Sequence, residues 1–144
     1  MDRRNIFKSA LAATAGLFAL RASAATGDVQ KVVYHLADID KVGFVLGNIR
    51  NHIDGVGGPD KVKIALVVHG SALKAFQTIA SHPDIAARYS SVAKDGVEMN
   101  ACGNTMKAQE VTLADLLPGF ISADRGGVVR LAELQGQGYV YLRP

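Results

Sequence analysis

The chain has 144 residues, enough for one domain with a substantial core and too few for two domains of ordinary size. Its 16 Lys and Arg residues outnumber its 13 Asp and Glu residues, but four of the basic residues and one acidic residue lie within the first 24 positions. The remainder is formally neutral, 12 against 12, and contains no cluster of basic and aromatic residues, which excludes nucleic acid as the expected partner.

The first 24 residues have the features of an export signal. Arg3 and Arg4 precede an apolar run over residues 10–20, and the segment that ends at Ala24 offers the small residues that a signal peptidase requires. An arginine pair in this position resembles a twin-arginine export signal. We therefore predict a signal peptide over residues 1–24, cleavage after Ala24 and a periplasmic protein. No stable membrane anchor is expected, because the apolar run is too short for a bilayer and Arg21 interrupts it.

Residues 25–144 alternate between strand and helix patterns and predict one α/β domain. The elements expected in the first half are a strand at 32–36, a helix at 38–53, a strand at 62–68, and helices at 71–79 and 83–93. Those expected in the second half are a strand at 97–102, a helix at 105–110, a helical turn beginning at 112–115, a strand at 120–123, a helix at 127–134 and a strand at 139–142. This order favours three layers, with a mostly parallel central sheet of about five strands and helices on both faces.

The candidate functional residues follow the carboxyl ends of the predicted strands. In open parallel sheets, ligands and chemistry collect just beyond these ends. His35 lies at the end of the first strand, His69 follows the second and Cys102 ends the third. The two histidines and the sole cysteine are therefore expected on one rim of the sheet.

Cys102 is the single cysteine of a chain that is expected to be exported. Exported proteins usually pair their cysteines or lack them, so an unpaired one indicates a reactive thiol or an intermolecular bond. The backbone N–H groups of Gly103, Asn104 and Thr105, at the start of the next helix, are predicted to stabilise a thiolate. The alternative is that Cys102 is a small buried apolar residue without chemistry.

The histidines have no spacing typical of a metal site, and we predict neither a metal nor a cofactor. His69 has the best position for orienting or protonating a group near Cys102, with His35 as possible support. Alternatively, either histidine is a structural residue at the edge of the core and has no role in the chemistry. Met99, Cys102 and Met106 offer soft sulfur ligands for copper(I), although the two methionines also fit ordinary packing.

The segment Ala101–Lys107 resembles the DsrE/DsrF-like sulfur-relay family, whose fold is of the YchN-like kind. The likeness covers most of the domain and includes the segments Val33–Leu36, Asn48–Ile53, Gly55–Pro59, Val67–Gly70 and Gln137–Leu142. It implies a compact α/β fold and a homo-oligomer, often a trimer or a hexamer. It also implies that a cysteine carries sulfur as a persulfide and passes it to a partner protein. Only Cys102 matches that position.

Our leading hypothesis is a periplasmic sulfur carrier in which Cys102 accepts sulfane sulfur from a donor protein or a small sulfur compound and His69 assists proton transfer. Such a protein is a carrier more than a turnover enzyme. One alternative is an oligomeric binding module that holds copper(I) or a small ligand at Cys102 and Met106. Another is a protein whose Cys102 is buried and inert and whose function lies in a protein interface.

Overall fold

The computed structural model describes residues 27–144, so the predicted signal peptide lies outside the described residues. The strands are β1 Gln30–Leu36, β2 Val62–Val68, β3 Glu98–Cys102, β4 Phe120–Ala123 and β5 Val140–Leu142. The α-helices are α1 Val42–Gly55, α2 Pro83–Lys94, α3 Gly103–Ala108 and α4 Gly127–Gly136. Short 3-10 segments occupy Ile39–Lys41, Pro59–Lys61, Gly70–Phe76 and Leu113–Asp115. Within residues 27–144, no helix combines the length and apolar character needed to cross a membrane.

The five strands form one parallel sheet in the order β4-β3-β2-β1-β5. Val62–Val68 is almost continuously apolar because β2 is the central strand and is covered on both faces. All strands run in one direction, so their carboxyl ends lie along one edge of the sheet. The predicted five-stranded α/β architecture is confirmed.

Two hydrophobic cores fill the faces of the sheet. The larger one packs α1 and α2 against one face through apolar residues at helical spacing, including Val42, Val45, Leu46, Ile49, Ile53, Tyr89 and Val92. The smaller core packs α4 against the other face and consists of Val33, Ala65, Val67, Leu131, Leu134 and Tyr139. The α4 face carries the candidate functional residues described below.

The predicted helix over residues 71–79 is wrong. A 3-10 segment ends at Phe76, and the chain then pairs Gln77 with Leu116 in an antiparallel bridge. The backbone N–H of Thr78 donates to the carbonyl of Asp115, and a helix through this point would leave that pairing unmade. Ile79 is consequently 98 % exposed instead of lying on the apolar side of a helix.

Candidate functional site

Four side chains, in or just past four neighbouring strands, project from the face of the sheet that α4 covers: Tyr141, His35, His69 and Cys102. Val33 of β1 lies in the core beneath α4 and pairs in register with Tyr141 of β5. Side chains two positions apart along a strand share a face, so His35 projects to the same side. The same alternation brings His69, just past β2, and Cys102, at the end of β3, to this face. The four side chains follow the strand order β5-β1-β2-β3 across the sheet.

Cys102 is 6 % exposed and is the residue that precedes the first turn of α3. Burial opposes ionisation of the thiol, but hydrogen bonds to the sulfur outweigh this effect and lower the pKa of Cys102 below its ordinary value. The donors are the Thr105 hydroxyl and the backbone N–H groups of Gly127, Thr105 and Asn104. The surroundings of Cys102 therefore favour a thiolate.

The backbone N–H of Gly127 reaches the sulfur because α4 begins directly beside it. Gly127 is the first residue of α4 and follows Gly126, whose φ of +102° suits glycine. A carbon added at Gly127 would lie 3.3 Å from the Cβ of Cys102 and 3.4 Å from the Cβ of His69. Glycine thus permits the start of α4 to approach both residues. The N–H and dipole of this helix end favour negative charge on the sulfur.

Gly103, which has one of the three backbone N–H groups predicted to stabilise the thiolate, lies where the start of α3 contacts the end of β4. A carbon added here would lie 3.0 Å from the carbonyl oxygen of Ala123 and 3.2 Å from the Cα of Asp124. The N–H of Gly103 is not among the donors that lower the pKa of Cys102, whereas those of Asn104 and Thr105 are. Gly103 instead allows α3 to start against the end of β4.

His35 and His69 bond to each other. The two Nε2 atoms are 2.5 Å apart, and the ring centroids are 4.7 Å apart with an interplanar angle of 28°. On the other side of its ring, His35 places Nδ1 2.6 Å from the hydroxyl oxygen of Tyr141. Across residues 27–144, neither imidazole makes a hydrogen bond to Cys102; His69 is its neighbour on the adjacent strand. Tyr141, His35 and His69 form one hydrogen-bonded chain, called here the Tyr–His–His chain.

The two imidazoles are held neutral. Burial lowers the pKa of His35 to about 4, and the charges of His69 and Arg143 act in the same direction. Burial and then Arg143 also lower the pKa of His69. Asp38, whose carboxylate is 3.6 Å from the Arg143 guanidinium, opposes these effects in part. Near pH 7 the chain therefore carries no imidazolium charge.

The methionines of the copper alternative pack away from the sulfur. Met99 and Met106 are 2 % and 7 % exposed and both belong to the larger core, whereas Cys102 projects towards α4. Among residues 27–144, no three His, Cys, Asp or Glu side chains cluster as a metal site would require.

The sequence predicts no role at the site for two of its residues. It indicates Gly127 only as the start of a helix and Tyr141 only as part of the last strand. Strand alternation does place Tyr141 on the same face as Tyr139, and a glycine pair before an apolar helix signals a close approach. What local sequence does not encode is that β5 lies next to β1.

Comparison with protein families shows the family of the whole chain. The family model described as DsrE/DsrF-like matches residues 4–144, nearly the whole sequence. The chain belongs to the DsrE/DsrF-like family. The comparison of this DsrE/DsrF-like protein with curated proteins gave no match.

Solved structures share the fold of this DsrE/DsrF-like protein. MTH1491 from Methanobacterium thermoautotrophicum, a protein of unknown function, is similar with a TM-score of 0.70 and 26% identity over 80% of this chain and 99% of its own. BT1422 from Bacteroides thetaiotaomicron has a TM-score of 0.60 and 16% identity, covering 80% of this chain and 95% of its own. The YchN protein from E. coli has a TM-score of 0.60 and 14% identity, covering 81% and 100%. The last two similarities concern the fold alone.

Proposed function

We propose that this DsrE/DsrF-like protein is a sulfur carrier in which the Cys102 thiolate accepts sulfane sulfur and holds it as a persulfide. The observation that carries the proposal is the position of Cys102 between the first turn of α3 and the closely approaching start of α4, where the Thr105 hydroxyl and nearby backbone N–H groups lower the pKa of the thiol. These donors stabilise a thiolate before transfer and a terminal persulfide anion after it. Family membership agrees with this chemistry.

The transfer needs one proton and no external oxidant. The Cys102 thiolate attacks the outer sulfur of a donor R–S–S⁻, so that a bond forms between Sγ and that sulfur while the donor's own S–S bond breaks. The departing R–S⁻ takes up a proton, and the products are Cys102–S–S⁻ and R–SH. His69, next to Cys102 across β2 and β3, is the group that supplies this proton. Attack by an acceptor thiolate on the outer sulfur reverses the process and unloads the carrier.

Intact mass spectrometry tests the proposal directly. Mature protein is treated with inorganic polysulfide, and we expect one added sulfur atom per chain, removable by a reductant. Cys102→Ser should add none, and Met106→Leu, a control in the adjacent helix, should load like the wild type. An unmodified wild type, or equal loading of Cys102→Ser, would refute sulfur transfer at this residue.

We also propose that the carrier works in the periplasm after cleavage behind Ala24. The support is the sequence alone: the arginine pair, the apolar run and the small residues that follow it. Cell fractionation with N-terminal sequencing should find the mature chain beginning at Ala25 in the periplasm. Replacement of Arg3 and Arg4 by Lys should retain the precursor in the cytoplasm, whereas export that is indifferent to this change would contradict the twin-arginine assignment.

A homo-oligomer, trimeric or hexameric, forms part of the same proposal and rests on the family resemblance. Light scattering on the purified mature chain measures its mass in solution. A monomer at all working concentrations would contradict this part and leave the chemistry of Cys102 untouched.

A further inference from the structure

We infer that the Tyr–His–His chain conducts protons between solvent and His69 during sulfur transfer, with Tyr141 and His35 as positioning residues that act through His69. The inference rests on the proposed function and adds to it a route for the proton. It follows from the placement of Tyr141, His35, His69 and Cys102 on consecutive strands and one face of the sheet.

The hydrogen bonds of the chain allow two uncharged arrangements. In one, Tyr141 donates to Nδ1 of His35, and Nε2–H of His35 donates to Nε2 of His69. In the other, both protons have moved, His69 has lost its Nδ1 proton and Tyr141 has gained a proton from solvent, so that His69 donates to His35 and His35 donates to Tyr141. The heavy-atom distances of 2.6 Å and 2.5 Å place each pair in hydrogen-bonding contact, so the three side chains form an unbroken path for a proton.

Passing from the first arrangement to the second moves one proton along the chain. Nδ1 of His69 releases its proton to the departing sulfur, while Nε2 of the same ring receives the proton of His35. His35 is restored by Tyr141, and the tyrosine oxygen takes a proton from a solvent water molecule, which is left as hydroxide in the solvent. One proton enters at Tyr141 and one leaves at His69. Because release and replacement occur together, no imidazolate forms.

Tyr141 is the member of the chain that is most open to solvent. Tyr141 is 38 % exposed on the edge strand β5, whereas His35 is only 9 % exposed and His69 is half-buried. The charged groups that face the rings are Arg143 and Asp38, which pair with each other. Both imidazoles are neutral near pH 7, so the one proton that His69 gives up must be replaced, and each transfer draws the replacement from solvent.

Rapid-quench kinetics of polysulfide loading test this inference. Tyr141→Phe and His35→Gln each interrupt the chain and leave Cys102 and His69 in place. We expect both variants to load one sulfur per chain, as the wild type does, but roughly tenfold more slowly, within the range that positioned acid–base groups contribute. Tyr139→Phe, which removes a hydroxyl beside the same strand, is the matched control and should load at the wild-type rate.

Dependence on buffer separates proton conduction from a structural role. In the two variants, the loading rate should rise with the concentration of imidazole buffer, because external acid replaces the missing route, whereas the wild-type rate should not change. If both variants loaded sulfur as fast as the wild type, the inference would be overturned and the proposed function would stand. The same would follow if the variants loaded slowly and imidazole buffer did not restore their rate. A wild type that takes up no sulfur would overturn the proposed function and the chain's part in it together. Tyr141→Phe preserves the packing of the edge residue, so we expect it to fold like the wild type. Circular dichroism checks this.

Discussion

The Thr105 hydroxyl interacts with Gly70 and with Cys102, and its bond to Gly70 orients the hydrogen that it donates to Cys102. Its oxygen accepts a hydrogen bond from the backbone N–H of Gly70 at 3.0 Å, which directs its own hydrogen elsewhere. That hydrogen is donated to the sulfur of Cys102. A loop after β2 thus orients a donor that stabilises charge at the end of β3.

Replacing Thr105 by Val removes this donor and preserves the side-chain shape. The pKa of Cys102 should rise, because the thiolate loses a hydrogen bond while the burial that opposes ionisation remains. At pH values below the thiol pKa, iodoacetamide alkylation should slow by about tenfold, since a hydrogen bond to a charged group contributes about 1.5 kcal/mol. At high pH, where the thiol is ionised in both proteins, the two rates should converge.

Thr105→Ser is the control for this change, because it keeps the hydroxyl and should keep most of the reactivity. If Val and Ser at this position gave the same rate-against-pH curve, the Thr105 hydroxyl would have no part in stabilising the thiolate.

At the scale of elements, the start of α4 completes the site. Gly127 contributes a backbone N–H to Cys102 only because no side chain separates the helix from β2 and β3. The other end of the same helix offers a comparison: a carbon added at Gly136 would meet no atom within 4 Å. One helix therefore contains a glycine required by close approach and one that is not.

Gly127→Ala should destabilise the protein and slow alkylation of Cys102, because the new methyl group pushes the start of α4 away from the sulfur. Gly136→Ala should leave alkylation unchanged and raise the free energy of unfolding by about 0.5 kcal/mol, since alanine reduces the freedom of the unfolded chain. Urea unfolding and alkylation kinetics on both variants measure this contrast. Equal thiol reactivity in the two variants would show that α4 is not needed at the sulfur.

The same elements show how far sequence reasoning reaches. Apolar runs bounded by turn residues predicted β2 and β4 with the bounds that the structure has, and strand ends pointed to His69 and Cys102. The segment after Phe76 was mispredicted because its backbone pairs with residues about 40 positions away, which no local pattern records. Tyr141 was missed for a related reason: its place beside His35 depends on which strand β5 joins.

At the scale of the whole molecule, the sheet brings together groups that lie far apart along the chain. His35 and Tyr141 are 106 positions apart and share a hydrogen bond because β5 returns to the edge of β1. The stability of the complete fold is consequently linked to the protonation of the two histidines, which the native state holds neutral by burial and by the proximity of Arg143.

The free energy of unfolding should therefore fall as the pH drops from about 6.5, the ordinary pKa of histidine, towards about 4, the pKa of His35 in the folded protein. The sign follows from proton binding: in this interval the unfolded chain takes up protons that the native state excludes. Each such histidine contributes a slope of up to about 1.4 kcal/mol per pH unit. Urea unfolding at a series of pH values measures it, and His35→Gln should show a shallower slope than the wild type because one of the two histidines is gone. A wild type equally stable at both ends of the interval would mean that the rings accept protons without cost, and the Tyr–His–His chain would then not be held neutral by the fold.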